Sequence, residues 1–241
     1  MTGSFHPTRW SHVARAGAAD PAAAPRALGE LCEQYWPPLY AYARKRGLAD
    51  DAARDAVQSF CLQLLERGGV DGARPEAGRF RAYLLGAFAN ALRNDARAAH
   101  AQKRGGGRLP FPLDDADAAF DAVAAAKDGP EQAFARRWAH ALLERAKARL
   151  RAEHVDKGKA AVHDALAPAL LGADDADFTR RTAERLGATD GAVRVALHRL
   201  RRRFGELVRD EVAATVRDAA DVDAELAELQ HALALGPLDD G

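Results

Sequence analysis

Five arginines, Arg194, Arg199, Arg201, Arg202 and Arg203, crowd the stretch RLGATDGAVRVALHRLRRRF at residues 185–204. A face kept soluble by charge mixes both signs, so a block of one sign points to a surface that meets something anionic. At roughly 100° per residue, Val193, Leu197, Leu200 and Phe204 fall on one narrow apolar stripe. Val195, His198, Arg199 and Arg202 then point away from that stripe, flanked by Arg194, Arg201 and Arg203. A helix patterned this way packs through its stripe and presents the other face to solvent. Arg can pair bidentately with guanine, an exposed Val can meet a thymine methyl, and later arginines can clamp phosphates. DNA is the ligand this chemistry suits.

The flanking residues supply what would position such a helix. DFTRRTAERLGATDGAVRVALHRLRRRF reads as two short helices joined by a tight turn at Gly187, a helix-turn-helix. Thr189 is placed to N-cap the second helix, and Asp190 lies near its positive end.

Chemistry-bearing residues also cluster in the front half. DDAARDAVQSFCLQLLERGG sets Ala53, Val57, Phe60 and Leu64 on one helix face and stops at Gly68-Gly69. Asp55 and Gln58, three residues apart, share an acidic and amide face suited to a basic helical partner. RFRAYLLGAFANALRNDARAAHAQKR predicts a long helix with an apolar stripe of Phe80, Leu84, Ala87 and Ala91, and with Arg93, Arg97 and Lys103 outward. Ahead of these, Leu28, Leu31, Tyr35, Leu39 and Tyr42 recur at helical spacing. The Pro37-Pro38 pair is expected to kink or break that helix.

Composition bounds the rest. The 241 residues carry 35 basic and 35 acidic side chains, so any anion-binding surface is local and offset elsewhere. Strong helix formers dominate, aromatics are 7%, and alternating strand patterns are missing, which predicts an all-α fold. Two helical domains joined by a flexible linker are expected: an N-terminal segment 1–21, a first domain 22–104, an acidic linker 105–130, a second domain 131–216 and an acidic tail 217–241 forming a short helix. Cys32 and Cys61 lie far apart in sequence and read as small apolar groups suited to a reducing compartment. No bilayer-length apolar run and no signal-like segment is evident, so membrane insertion is not expected and a cytoplasmic location is. Histidines 140, 154, 163 and 198 form no ligand motif, and nothing calls for a metal, a cofactor or catalysis.

Together these stretches resemble the bacterial RNA polymerase sigma factors of the extracytoplasmic-function group, from about Phe5 into the acidic tail. GAVRVALHRLRRRFGELVRDE is similar to the promoter-reading end of region four. RDAVQSFCLQLLE resembles the polymerase-clamp contact of region two, through Asp55, Gln58 and Phe60. RFRAYLLGAFANALRNDARAAHAQKRGGG resembles the promoter-melting part, through Phe80, Arg81, Tyr83 and Asn90. TRWSHVARAG and YWPPLYAYARKRG look like a subgroup. Ser59 stands where an acidic residue is usual, Cys61 where a second aromatic is common, and Tyr83 where Trp is more frequent. The segment at 154–177 is longer than the usual connection.

The resemblance implies a non-enzymatic specificity subunit that binds core RNA polymerase and promoter DNA, and it allows an anti-sigma or other regulatory partner. Arg194, Val195, His198, Arg199, Arg201 and Arg202 would read the upstream element. Asn90, with Phe80 and Tyr83 as aromatic support, would hold a flipped base of the melted element, and Arg93 and Arg97 the adjacent backbone. The acidic tail is open to three roles: an intramolecular brake, a partner-docking helix, or packing on the second domain. The rival reading is a one-component regulator with a helical sensing domain and a C-terminal helix-turn-helix.

Overall fold

A computed structural model describes residues 23–66, 80–103, 129–172, 175–216 and 219–236. Among them are eight α-helices, two single-turn 3-10 segments and no strand. The helices are α1 (Ala23–Lys45), α2 (Asp50–Glu66), α3 (Phe80–Lys103), α4 (Pro130–Asp156), α5 (Ala160–Leu166), α6 (Ala176–Leu186), α7 (Asp190–Ala213) and α8 (Val222–Ala234). The chain divides into two units, residues 1–141 with 213–241, and residues 142–212. Most of the expected linker 105–130, and residues 67–79, lie outside the described residues.

In the first unit, α1 runs unbroken through Pro37 and Pro38. Two consecutive rungs of the helix lose their N–H donor there. The loss is tolerated because Tyr35, Leu39 and Tyr42 on either side are fully buried and hold the backbone by packing. Gly47, in the left-handed region at φ 90°, turns the chain toward α2. Asp50 and Asp51 sit in the first turn of α2, where the helix dipole favours negative charge. The predicted α2 face of Ala53, Val57, Phe60 and Leu64 is buried as expected.

On α3 the buried stripe is Phe80, Leu84, Phe88 and Leu92. It is rotated from the expected one, and Ala87 and Ala91 are only partly covered. The larger side chains take the interior because they remove more apolar area from water. Phe88 meets both Tyr42, at a centroid distance of 6.0 Å, and Phe60, at 5.1 Å. The opening turns of α4 complete this core: Phe134 stacks on Tyr35 at 6.5 Å, and Trp138 is buried.

The acidic tail belongs to this unit. On α8, Val222, Glu225, Leu229 and Ala232 are buried. Glu225 accepts from the Arg81 guanidinium at both oxygens, Nε to Oε1 at 2.9 Å and Nη2 to Oε2 at 3.3 Å. The Arg81 guanidinium also lies 4.3 Å above the Trp138 ring.

The second unit is built on the later turns of α4, which bury Leu142, Leu143, Ala146 and Leu150. The long segment at 154–177, whose purpose the sequence left open, folds as α5 and a 3-10 turn (Ala167–Ala169). It adds Ala165, Leu166, Ala169 and Leu170 to the core. Near the C-terminal end of α7, the buried carboxylate of Glu211 accepts from two arginines of α4, Arg145 at 3.0 Å and Arg149 at 2.8 Å. Satisfying both oxygens is what makes a charge tolerable at that depth.

Candidate nucleic-acid interface

The second unit carries the helix-turn-helix. Asp175 caps α6 by accepting from the Phe178 N–H at 2.7 Å. Gly187 ends α6 in the left-handed conformation, at φ 60°, with its N–H directed to the carbonyls of Ala183 and Glu184. A side chain would be strained at that φ, so glycine sets the turn. Thr189 then caps α7, its Oγ1 accepting from the Ala192 N–H at 3.2 Å. The turn at Gly187 and the cap at Thr189 fall where the residue types predict.

Val193, Leu197, Leu200 and Phe204 are buried, and Leu207 continues the stripe. With that face fixed, Arg194, His198, Arg199 and Arg202 are exposed, and Val195 is 50% exposed. Arg194 and Arg199 have no ion-pair partner among the described residues. Arg202 reaches Glu206 at 3.3 Å, one turn along, and remains in solvent.

Two arginines of the block do other work. Arg201, expected to contact DNA, donates from Nη2 to the carbonyls of Ala169 at 2.7 Å and Gly172 at 2.8 Å. It satisfies the end of the 3-10 turn, where carbonyls lack helical partners, and pins that segment to α7. Arg203 makes a two-point pair with Glu153, at 3.0 and 2.6 Å, and reaches Glu206 at 2.9 Å. The Arg203 guanidinium holds the Glu153 and Glu206 carboxyls below their ordinary range, and those carboxylates raise the arginine further above its own. The face available to a ligand is therefore the cationic Arg194, Arg199 and Arg202, with Val195 and His198 among them.

In the first unit, the expected residues separate by depth. Asp55 and Gln58 are exposed on α2. Phe60 is 5% exposed against Phe88, so it is a core residue and cannot be a surface contact. Phe80 is likewise core: it is 5% exposed, and its ring meets the edge of Tyr35 at 5.4 Å. It is closed to a stacked base. Tyr83, Asn90 and Arg97 stand seven residues apart, so they form one line along α3. Asn90 and Arg97 are exposed, and Tyr83 is half-buried enough that desolvation raises its phenol. Arg93 donates to Asn90 Oδ1 at 3.4 Å, which orients the amide on the surface. Lys103, expected outward, lies outside the residues whose side chains are described.

Sequence reasoning missed the internal roles of Arg81, Arg145, Arg149 and Arg201. The only signal in the sequence was that Glu211 and Glu225 recur at apolar stripe positions of their helices. It also missed that Cys32 and Cys61 come to one place, lining a common groove between α1 and α2. No group of three or more metal-ligating side chains occurs among the described residues, and none of their helices is long and apolar enough to cross a membrane. Comparisons with protein-family models, curated proteins and solved structures give no match.

Proposed function

We propose that this chain is an extracytoplasmic-function type sigma factor, a non-enzymatic subunit that binds core RNA polymerase and directs initiation at specific promoters. The observation that carries the reading is the division of labour on α7. Its arginines facing neighbouring elements are paired, whereas Arg194 and Arg199 extend to solvent beside Val195 and His198. In the major groove these side chains read the upstream element, and Arg202 holds a phosphate. The line of Tyr83, Asn90 and Arg97 on α3 takes the melted element: Asn90 pairs with an extruded base, Tyr83 covers it, and Arg93 and Arg97 hold the backbone. Extruding a base costs a few kcal/mol, which such contacts offset. Asp55 and Gln58 form the polymerase-facing surface.

Two modules on one chain raise each other's effective concentration on adjacent DNA elements, which makes weak individual contacts sufficient. The test is size-exclusion chromatography of the purified chain with core polymerase. Co-elution, reduced by reversing the acidic face with Asp55→Lys and Gln58→Lys, supports the reading. A dimer that ignores polymerase and retards a palindromic DNA supports a one-component regulator instead.

A further inference from the structure

We propose that Cys32 and Cys61 form a redox-active dithiol, a modification site at which a hydroperoxide closes a disulfide between α1 and α2. The chain has two cysteines, and the fold brings both to one place. Both residues line the same apolar groove between the two helices, a space of about 420 Å³ walled also by Glu33, Trp36, Pro37, Gln58 and Leu62, and their thiols lie close enough to shift each other's acidity. Cys32 is half-buried at the groove wall and Cys61 lies deeper. The groove gives a small, uncharged oxidant a path to Cys32. Two cysteines lining one groove on adjacent helices are also the arrangement a disulfide needs, since the bond forms only where the two Cβ positions already approach.

The two thiols are not equivalent. Hydrogen bonding with Cys61 lowers the Cys32 thiol below its ordinary value against the opposing effect of burial. The same bond, then burial, pushes Cys61 far up. Cys32 is thus the attacking thiolate and Cys61 the resolving thiol. In the first step the Cys32 sulfur attacks the terminal oxygen of the hydroperoxide and the O–O bond breaks. The alkoxide or hydroxide leaves and takes up the proton Cys32 had lost, and Cys32 becomes a sulfenic acid. In the second step Cys61 loses its proton and its sulfur attacks the Cys32 sulfur. The S–O bond breaks, and hydroxide leaves with that proton as water. The sum is two thiols and one hydroperoxide giving a disulfide, an alcohol or water, and a further water.

The test is treatment of the full-length native protein with hydrogen peroxide, followed by intact-mass measurement and non-reducing peptide mapping. Neither readout involves polymerase, so the result stands apart from the proposed function. The expected product is a monomer lighter by two hydrogen atoms, with one peptide joining Cys32 to Cys61, restored by dithiothreitol. Cys61→Ala, which keeps a small apolar group in the interior, should stop at a Cys32 sulfenic acid that dimedone traps. Cys32→Ser should leave Cys61 unreacted at the same peroxide concentration, and circular dichroism checks that both variants keep their helices. Cys32 oxidised beyond sulfenic acid while Cys61 stays free, disulfide-linked dimers, or two unreacted native thiols would each overturn the proposal.

Discussion

Arg81 and Glu225, 144 positions apart in the chain, meet in a two-point ion pair in which the glutamate has no exposed surface. The pair joins α8 to the start of α3, and the Trp138 ring beneath the guanidinium adds α4 to the same contact. Removing one partner of such a pair strands the other charge. Glu225→Ala should therefore destabilise the protein by about 3–5 kcal/mol. Replacing both groups by apolar ones, Arg81→Met with Glu225→Leu, should recover most of that loss. Urea unfolding of the two variants beside the unaltered protein checks the ordering, and equal losses in the single and double variants would refute it.

The two classes of arginine on α7 should separate by experiment. Arg194→Ala and Arg199→Ala should each weaken upstream-element binding by roughly 1–3 kcal/mol and leave thermal stability unchanged. Arg201→Ala should do the reverse, because it strands the carbonyls of Ala169 and Gly172 at a cost of about 1–3 kcal/mol of stability. Gel shifts with polymerase, paired with thermal melts, distinguish them. A base-specific loss in Arg201→Ala would restore it to the interface.

How far the sequence carried this reading depended on whether a residue's neighbours were local. The caps at Asp175 and Thr189, the turn at Gly187 and the stripe from Val193 to Phe204 answer to contacts within a few residues; residue type located Thr189 and Gly187, and periodicity the stripe. Phe60 and Phe80 were misread because an aromatic on an amphipathic helix serves core and ligand equally well in a one-dimensional pattern. Only the partners Phe88 and Tyr35, on other helices, decide between the two. Arg201, the Glu225 pair and the meeting of Cys32 with Cys61 depend on residues 29 or more positions away, to which helical spacing is blind.

On α3, Asn90 and Phe80 should fail in different ways. Asn90→Ala should keep polymerase binding and stability but abolish permanganate reactivity of thymines at the promoter. Phe80→Ala should lose about 3–5 kcal/mol of stability through the cavity it leaves. Normal promoter opening by Asn90→Ala would remove that residue from the site.

Acid should weaken the second unit through identifiable carboxylates. Arg203 depresses Glu153, and His163 and Arg151 depress Asp164. A carboxyl whose folded value lies below its unfolded one contributes fully above the unfolded value, and that contribution is lost as pH falls through the folded one. The thermal midpoint should thus be flat near neutrality and decline below about pH 4.5, the ordinary glutamate range. Glu153→Gln should lower the neutral-pH midpoint and shallow the acid decline. A decline as steep as in the unaltered protein would assign the acid sensitivity to other groups.

The central claim is that this chain selects promoters for the polymerase. The direct measurement is in vitro transcription of a genomic fragment library by core polymerase, with and without the purified protein. Discrete start sites should appear only with the protein and vanish with the Arg194→Ala, Arg199→Ala double variant. Transcripts that are identical with and without the protein, from a preparation that still binds DNA by itself, would contradict it.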